Sequence, residues 1–411
     1  MSHPTSRRPM LDRLARSLRG LVLAAPLALG AAALLAPAST CLAGVKLIAL
    51  PERERVEIRL ERLGLTLVEE ERTVPLAAGV NDVVFAWANT AIDKGTLQFR
   101  SLTSPDQIKV LSVSYPPDEN ALTWQVASPV AGPAKVRISY IIVGIDKSYE
   151  YRAETGKDEK TLTLWQYVQL HNRTQENFGE SGMSFGFGDR LERPIGRAET
   201  RKILASRFDG VKLRKTYTAD LAAFGMLDPA KQQLKIPMHY VLENDAEHGL
   251  GRFPLEAGKV RIFQSDGKGG VAFLGEDWGP FASKDDEWRL FVGVAKDVVV
   301  KRIIERSDRK PTAGVLSDYD VVVKYEIENF KDEPVTIDIV EMMPNLRAET
   351  IHNGNLPPQW EIGKDGTMKE FDKSKSNVDR VLFHVEAPPR GADQKAVKKT
   401  ETLNVLFRNE W

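Results

Sequence analysis

The chain has 411 residues, and its 57 lysines and arginines balance its 57 aspartates and glutamates. A formal net charge of zero, with no basic cluster interleaved with aromatic residues, argues against a nucleic-acid-binding protein. The single cysteine excludes an intrachain disulfide and a zinc site built from several thiolates.

Residues 1–43 have the features of a signal peptide. Five arginines precede an apolar run over residues 21–36, and small residues follow that run. We expect cleavage between Ala43 and Gly44, which removes five basic residues and one acidic residue and leaves a net charge of −4. The sequence therefore predicts a bacterial protein that is exported to the periplasm or secreted.

The same segment leaves the route of export open. Arg7 and Arg8 lie in a stretch that resembles a twin-arginine signal, and an ordinary secretory signal is the alternative. Cys41 could carry a lipid, but Ala38 stands where a large aliphatic residue usually precedes such a cysteine. A transmembrane anchor is disfavoured, because the apolar run is shorter than the ~20 residues of a membrane span and contains Pro26.

The length after the signal exceeds what one hydrophobic core usually serves, so we expect two domains. The first is predicted over residues 44–133 and the second over residues 134–411. Helix is expected only as a short turn at residues 229–233. The predicted fold class is therefore all-β, with two antiparallel β-sandwich-like domains.

The pattern over residues 53–76 fits two structures. A helical stripe would join Val56 to Leu60, whereas the alternation of Val56, Ile58 and Leu60 with charged residues fits a strand. Gly64 favours strands.

The second domain is predicted to be a series of strands separated by turns. Residues 318–328 have the clearest strand pattern, and we expect them to form a hairpin with residues 335–341. Near the carboxy terminus, apolar residues from Leu403 to Trp411 alternate with polar ones, as in a half-buried strand. The other strands are predicted at residues 134–151, 161–172, 183–188, 211–219 and 236–243.

Residues 241–297 are predicted to contain a β-meander. An apolar face would include Val260 and Phe273, and the polar residues 265–270 would form an exposed turn. The three strands are predicted at residues 255–264, 271–277 and 288–298.

Short motifs follow one another in this region: Glu-Asn at 243–244, Gly-Leu-Gly at 249–251, Pro-Leu-x-Ala-Gly-Lys-Val-Arg at 254–261, Gly-Glu-Asp at 275–277 and Asp-Val at 297–298. In this order they resemble the bacterial mucoidy-inhibitor-like family, whose biochemical role is unassigned. The resemblance implies an amino-terminal β domain, with strands at residues 81–87 and 110–115, and a carboxy-terminal β domain. Larger members carry a long coiled coil between the two, which is missing here because Pro116 leads directly into short strands.

No complete motif for catalysis is present in the sequence. None of the five histidines after the signal is spaced from another as in the zinc-binding HExxH motif. Ser184 has GxSxG spacing between Gly182 and Gly186, but no helix is predicted after it and the sequence identifies no histidine or aspartate partner for any serine. We therefore assign no catalytic residue, no metal and no cofactor.

Glu276, Asp277 and Trp278 are the candidate binding residues. Two carboxylates beside an exposed tryptophan could bind a cation or the face of a sugar, and a solvated acidic turn is the alternative. A second short motif, Asn172-Arg173-Thr174, is a glycosylation sequon that we expect to be idle in a bacterium.

Two classes of function fit these observations. In the first, the protein is a non-enzymatic structural or interaction module of the cell envelope, which presents loops or a sheet edge to an envelope protein or a polysaccharide. In the second, it is an exported hydrolase or carbohydrate-active enzyme whose carboxylates converge only in the fold. We favour the first, because the sequence contains no complete motif for catalysis.

Overall fold

The computed structural model describes residues 46–410, except residues 63, 89, 187 and 352–358. The predicted cleavage site at Ala43 and Gly44 and the terminal Trp411 lie outside the described residues. Within the described part the protein is nearly all β, with 26 strands and only short helices, which confirms the predicted fold class.

The strands of the first half of the chain run from β1 to β13. Those up to residue 130 are β1 (Lys46–Ala49), β2 (Arg55–Arg62), β3 (Leu65–Leu76), β4 (Gly79–Ala86), β5 (Gln98–Ser101), β6 (Lys109–Ser114) and β7 (Ala121–Ser128). Those that follow are β8 (Gly132–Ile142), β9 (Ile145–Thr155), β10 (Thr161–Asn172), β11 (Gly179–Ser184), β12 (Leu191–Ile195) and β13 (Thr200–Lys212).

The second half contains β14 to β26 and the helices. The strands up to residue 300 begin with β14 (Arg214–Asp220), β15 (Met226–Asp228), β16 (Gln233–Leu234), β17 (Pro237–Glu243), β18 (Gly258–Ser265), β19 (Val271–Gly279) and β20 (Glu287–Val294). The last six are β21 (Val298–Pro311), β22 (Ser317–Asn329), β23 (Val335–Met342), β24 (Gln359–Ile362), β25 (Arg380–Ala387) and β26 (Val397–Glu410). The α-helices are α1 (Leu221–Phe224) and α2 (Met343–Thr350), and 3-10 turns lie at Lys94–Thr96 and Pro229–Lys231.

These strands form five sheets. In order across each sheet, they are sheet A (β1-β4-β7-β6), sheet B (β12-β11-β2-β3-β8-β5), sheet C (β13-β10-β9-β18-β19), sheet D (β20-β17-β14-β23-β25) and sheet E (β15-β16-β21-β22-β26-β24). Most neighbours are antiparallel. Four parallel pairs, β1/β4, β2/β11, β9/β18 and β14/β23, depart from the antiparallel arrangement that the sequence predicts.

Two hydrophobic cores are buried among the sheets. The first contains side chains from sheets A, B and C and from β17 and β20 of sheet D, and Tyr151 of sheet C meets Trp288 of sheet D at 5.0 Å between ring centroids. The second lies between sheets D and E and includes Tyr217, Phe383 and Phe407. Sheet D therefore contributes to both cores.

Strand β8 covers the position of the predicted domain boundary at 133/134. It pairs with β3 along its length, from Leu76 opposite Gly132 to Thr66 opposite Ile142. Sheet B thus contains strands from both sides of that boundary.

Alternation correctly predicted most strands but not all of their limits. Residues 53–76 form β2 and β3, the 161–172 prediction coincides with β10, and the helical turn near residue 229 is present. The 134–151 prediction is divided between β8 and β9, because Gly144 adopts a positive φ of 98° at a turn.

The predicted hairpin between residues 318–328 and 335–341 is wrong. Strand β22 pairs with β21 and β26 in sheet E, whereas β23 pairs with β14 and β25 in sheet D. Ile327 and Ile337 both belong to the second core, so the chain crosses from one sheet of that core to the other.

The meander is only partly as predicted. Strands β18 and β19 are antiparallel and Val260 is fully buried, but β20 pairs with β17 in sheet D and is not the third strand of the meander. Phe273 is 59% exposed rather than on the apolar face. Ile262 pairs with Gly275 but the next residue, Phe263, pairs with Phe273, so β19 has one extra residue at this point. This shift in register turns Phe273 to the outer face.

Candidate functional site

The sequence-predicted cluster lies on β19, an edge strand of sheet C. Because neighbouring side chains of a strand point to opposite faces, the structure does not bring the three residues together. Glu276 and Trp278 lie on the outer face, and Trp278 is 63% exposed. Asp277 points the other way, where its Oδ2 accepts a hydrogen bond from the backbone N–H of Phe291 at 2.6 Å. Asp277 therefore connects sheet C to sheet D.

Glu276 is an ion-pair partner rather than a free carboxylate. Its Oε1 lies 3.0 Å from Nζ of Lys259 and its Oε2 lies 3.0 Å from Nε of Arg261. The hydrogen bond from Lys259 and the nearby charge of Arg261 lower the pKa of Glu276 below its ordinary value. A cation bound here would compete with two basic side chains.

A row of aromatic and arginine side chains crosses the outer face of sheet C. Phe273 of β19 lies 5.5 Å from Phe263 of β18, between ring centroids. The guanidinium of Arg152 on β9 lies 4.4 Å from the centroid of Phe263 and 5.7 Å from that of Trp165 on β10. Arg207 of β13 lies 5.4 Å from the Trp165 centroid and completes the row. This aromatic–arginine row spans all five strands, and cation–π contacts of this kind stabilise its geometry.

The charges around the row are balanced. Arg152 pairs with Glu154 at 2.8 Å and Arg207 pairs with Asp209 at 2.8 Å. Beside the row, Glu150 accepts a hydrogen bond from Lys202, and this pair lowers the pKa of Glu150. The outer face of sheet C is therefore rich in aromatic groups but nearly neutral.

Sequence reasoning found the edge of this face but missed its centre. Trp165 lies at an outward position of β10, a strand in which Leu162, Leu164 and Val168 are buried. An aromatic residue at the polar position of an alternating strand is the signal that could have identified it. Arg152 and Arg207 carry no such signal, because only the sheet order brings them beside Trp165.

A second candidate site is a cleft of about 560 Å³ in sheet D. The parallel strands β14 and β23 pair only from Tyr217 opposite Ile337 onward, so their first residues separate. We call the space between them the split-sheet cleft. Residues from the β9–β10 turn, the start of β14, the start of β23 with the turn before it, and β25 with the loop before it line the cleft: Asp158, Glu159, Arg214, Lys215, Thr216, Tyr217, Glu333, Pro334, Val335, Thr336, Asp338, Lys375 and His384.

Glu159, one of the carboxylates that line the cleft, already has partners. Glu159 accepts two hydrogen bonds from Nζ of Lys215, at 2.9 and 2.7 Å, and one from the hydroxyl of Tyr240. Burial and this carboxylate raise the pKa of Tyr240. Glu159 has a left-handed φ of 48°, a conformation that costs a non-glycine residue free energy and that these three bonds hold in place.

His384 lies between two carboxylates at the mouth of the cleft. Its Nδ1 is 2.8 Å from Oδ1 of Asp338, and its Nε2 is 3.2 Å from Oδ2 of Asp372. Hydrogen bonds from Ser374 and then from His384 lower the pKa of Asp372 to about 2. Both ring nitrogens are thus occupied by carboxylates, which makes His384 a poor general base in this arrangement.

Metal-binding groups of three or more suitable side chains do not occur among the described residues. Nor does that part of the chain contain a helix long and apolar enough to cross a membrane.

The sequon asparagine Asn172 is buried, and its amide nitrogen donates to the carbonyls of Glu176 and Gly196, which leaves no accessible acceptor for a glycan.

A scan against protein-family models finds no match to this chain, and a search of curated proteins finds no significant match. The resemblance to the mucoidy-inhibitor-like family therefore stays a prediction from the sequence.

Proposed function

We propose that the protein is an exported, non-enzymatic interaction module of the bacterial cell envelope, which binds a partner protein through the outer face of sheet C. The aromatic–arginine row is the observation that carries this proposal. Tyr, Trp, Phe and Arg are the residues enriched at the centres of protein interfaces, and Trp and Arg are frequent hot spots.

The size of the face fits a protein interface. Five strands spaced about 4.8 Å apart, each contributing about eight residues at 3.4 Å, cover roughly 600 Å². A standard interface buries about 800 Å² on each partner. Phe273 and Trp278 belong to β19 and lie within this area, which corresponds to the low end of the standard range, about 600 Å² on each partner.

The charge and geometry of the face favour a polypeptide over a polysaccharide. A charged polymer is attracted by a surface of opposite net charge, whereas the charges here neutralise one another. A neutral sugar needs an open aromatic face on which to stack. Arg152 lies over Phe263, and Arg152 and Arg207 both approach the Trp165 ring, so these faces are already occupied.

The hydrolase alternative has less support. A glycosidase needs one carboxyl group as an acid and a second as a base or nucleophile. In the split-sheet cleft, Glu159 is held by Lys215 and Tyr240, and Asp338 is held by His384. Such paired carboxylates are not poised to exchange protons with a substrate.

Export is proposed from the signal-like features of residues 1–43, and the absence of cysteine after residue 41 is compatible with any redox environment. A partner in the envelope would therefore meet the face after secretion.

Photo-crosslinking in intact cells tests the proposal. A crosslinking amino acid replaces Phe273 at the edge of the face or, as the control, Val315, which is 77% exposed at the β21–β22 tip in sheet E. We expect a discrete adduct from position 273 that is lost when Trp165→Ala is added, and none from position 315. Equal adducts at both positions, or an adduct at 273 that Trp165→Ala leaves unchanged, would contradict the proposed surface.

A further inference from the structure

Arg289 of β20 lies on the polar face of sheet D, which points away from the second core. Its Nη2 donates to Oγ1 of Thr218 at 2.8 Å and is 3.4 Å from Oγ1 of Thr216. The same nitrogen is 3.4 Å from Nδ1 of His239 on β17. Two hydroxyls and a histidine ring thus fix the position of a half-buried guanidinium.

The charge of Arg289 is not neutralised by direct contact. Within the described ranges no carboxylate lies within ion-pair distance of it. The buried Arg302, by contrast, pairs with Glu341 at 2.9 Å, and Arg347 pairs with Glu410 at 2.8 Å. Burial is the main cause that lowers the pKa of Arg289. Since a buried charge without a counter-charge is costly, the site is suited to an oxyanion.

Further cations surround the entrance to this position. Arg214 and Lys375 share a single carboxylate, Glu287, at 3.1 and 2.7 Å. The charges that act on Arg289 have both signs, since Asp338 and Glu287 raise its pKa whereas Arg214 and Arg380 lower it. An anion that approaches Arg289 would be attracted by the cations Arg214, Lys375 and Arg380 around it.

The cleft itself provides room for the rest of a ligand. Thr216, whose Oγ1 is 3.4 Å from Nη2 of Arg289, also lines the cleft, so a ligand that extends past Thr216 would approach the guanidinium. A volume of about 560 Å³ falls in the range of small-molecule sites, about 300–1,000 Å³. The exposed Thr336 and the Lys215 side chain add polar groups for an uncharged polar body.

We propose that the protein binds a small organic oxyanion, a carboxylate or a phosphate, whose charged group contacts Arg289 and whose polar body occupies the split-sheet cleft. This site is on a different sheet from the aromatic–arginine row. It does not depend on the proposed partner protein.

Isothermal titration with three sugars of similar ring structure tests the site: glucose 6-phosphate, glucuronate and uncharged glucose. We expect one or both anions to bind the full-length protein and glucose not to bind. Arg289→Gln should weaken the binding at least about tenfold, because it removes a charge-assisted hydrogen bond. Arg289→Lys, which keeps the charge but not the planar fork, should weaken it less.

Two controls make the result specific. Arg207→Gln removes an arginine of the aromatic–arginine row on sheet C and should leave the anion affinity unchanged, and circular dichroism at each titration temperature checks that every variant is folded. Binding of the phosphate alone identifies a phosphate site, and binding of glucuronate alone a carboxylate site. Binding of glucose as tight as that of the anions, no binding of either anion, or equal anion affinity in folded Arg289→Gln would overturn the proposal.

Discussion

Buried asparagines hold several turns of this protein together. Asn244 is fully buried, and its amide nitrogen donates to the carbonyls of Phe253 at 3.2 Å and Ser283 at 2.9 Å. Its side-chain oxygen accepts from the backbone N–H of Gly251 at 3.0 Å. Glu-Asn and Gly-Leu-Gly, two motifs that carry the family resemblance, are thus joined by one side chain with a structural role.

Replacing Asn244 with Ala should destabilise the fold by about 2–4 kcal/mol, because each backbone group left unpaired in the interior costs about 1–3 kcal/mol. Urea unfolding of the two proteins measures the difference. Asn345→Ala on the exposed side of α2 is the matched control and should change the free energy of unfolding by less than about 0.5 kcal/mol. Similar losses from both substitutions would show that Asn244 does not hold the turn.

His239 makes stability depend on pH. Burial, and then the charge of Arg289, lower the pKa of His239 from 6.5 to about 4. The unfolded chain therefore takes up a proton from about pH 6.5 downward, whereas the folded protein resists it until about pH 4. The contribution of this residue to stability is complete above pH 6.5 and is lost as the pH falls to about 4.

His239→Gln should accordingly make the melting temperature fall less between pH 7.5 and pH 4.5 than it does in the wild type. Thermal unfolding at the two pH values gives the comparison. A decline in His239→Gln as steep as that of the wild type would refute this role.

At the scale of elements, alternation predicted which residues form strands and which faces they bury. The limits of β10 and the burial of Val260 follow from it, because successive side chains of a strand point to opposite faces whatever the neighbouring strands are. Strand partners could not be predicted in the same way. Strands β22 and β23 are adjacent in sequence yet lie in different sheets, since they bury apolar faces across a shared core.

The tip of the β18–β19 hairpin provides a prediction on element stability. Inserting a few residues between Ser265 and Gly270 should cost little, since doubling the length of a flexible loop costs only about 0.6 kcal/mol. Phe273→Asp should also be tolerated, because this side chain is mostly exposed. Val260→Asp places a charge in the first core and should prevent folding or cost several kcal/mol. Chemical unfolding ranks the three variants, and a Phe273→Asp loss as large as that of Val260→Asp would contradict the register described here.

Strand β26 is predicted to be essential for the second core. It lies between β22 and β24, and Leu403, Val405 and Phe407 are fully buried on it. Burial of each such side chain contributes about 1.5–3 kcal/mol as an upper value. Truncation after Glu401 also removes Glu410 and leaves Arg347 buried without its ion-pair partner.

The truncated protein should therefore be insoluble or lose most of its cooperative thermal transition. Glu410→Gln, which keeps the strand but removes the charge, should be folded with a lowered melting temperature. A soluble truncation with an unchanged melting temperature would mean that the strand makes no contribution to the fold.

On the scale of the whole molecule, the chain crosses from one sheet to another in the same way at two places, from β10 to β11 and from β22 to β23. Asn172 ends β10 and donates to the carbonyl four residues later at 2.9 Å, and Asn329 ends β22 and does the same at 2.8 Å. Each crossing leads to a strand with a parallel neighbour, β11 beside β2 and β23 beside β14. The sheets around the two cores are thus connected in the same way. The split-sheet cleft lies where the second parallel pair, β14 and β23, separates.

The sites could be predicted from the sequence only where a single strand contains the signal. Glu276 and Trp278 were found because they lie two residues apart on one strand, β19. The cleft could not be found, since it depends on the pairing of Tyr217 with Ile337, which are far apart in the sequence. The aromatic–arginine row depends in the same way on the order of five strands.

The central claim is tested most directly by measuring how tightly variants of this chain bind the partner protein that crosslinks to position 273. Trp165→Ala should weaken binding by about 2 kcal/mol or more, roughly thirtyfold, as expected for a hot-spot tryptophan. Trp360→Ala on β24 of sheet E is the matched control and should bind as the wild type does. A wild-type affinity for folded Trp165→Ala, or an equal loss for Trp360→Ala, would contradict a binding surface on sheet C.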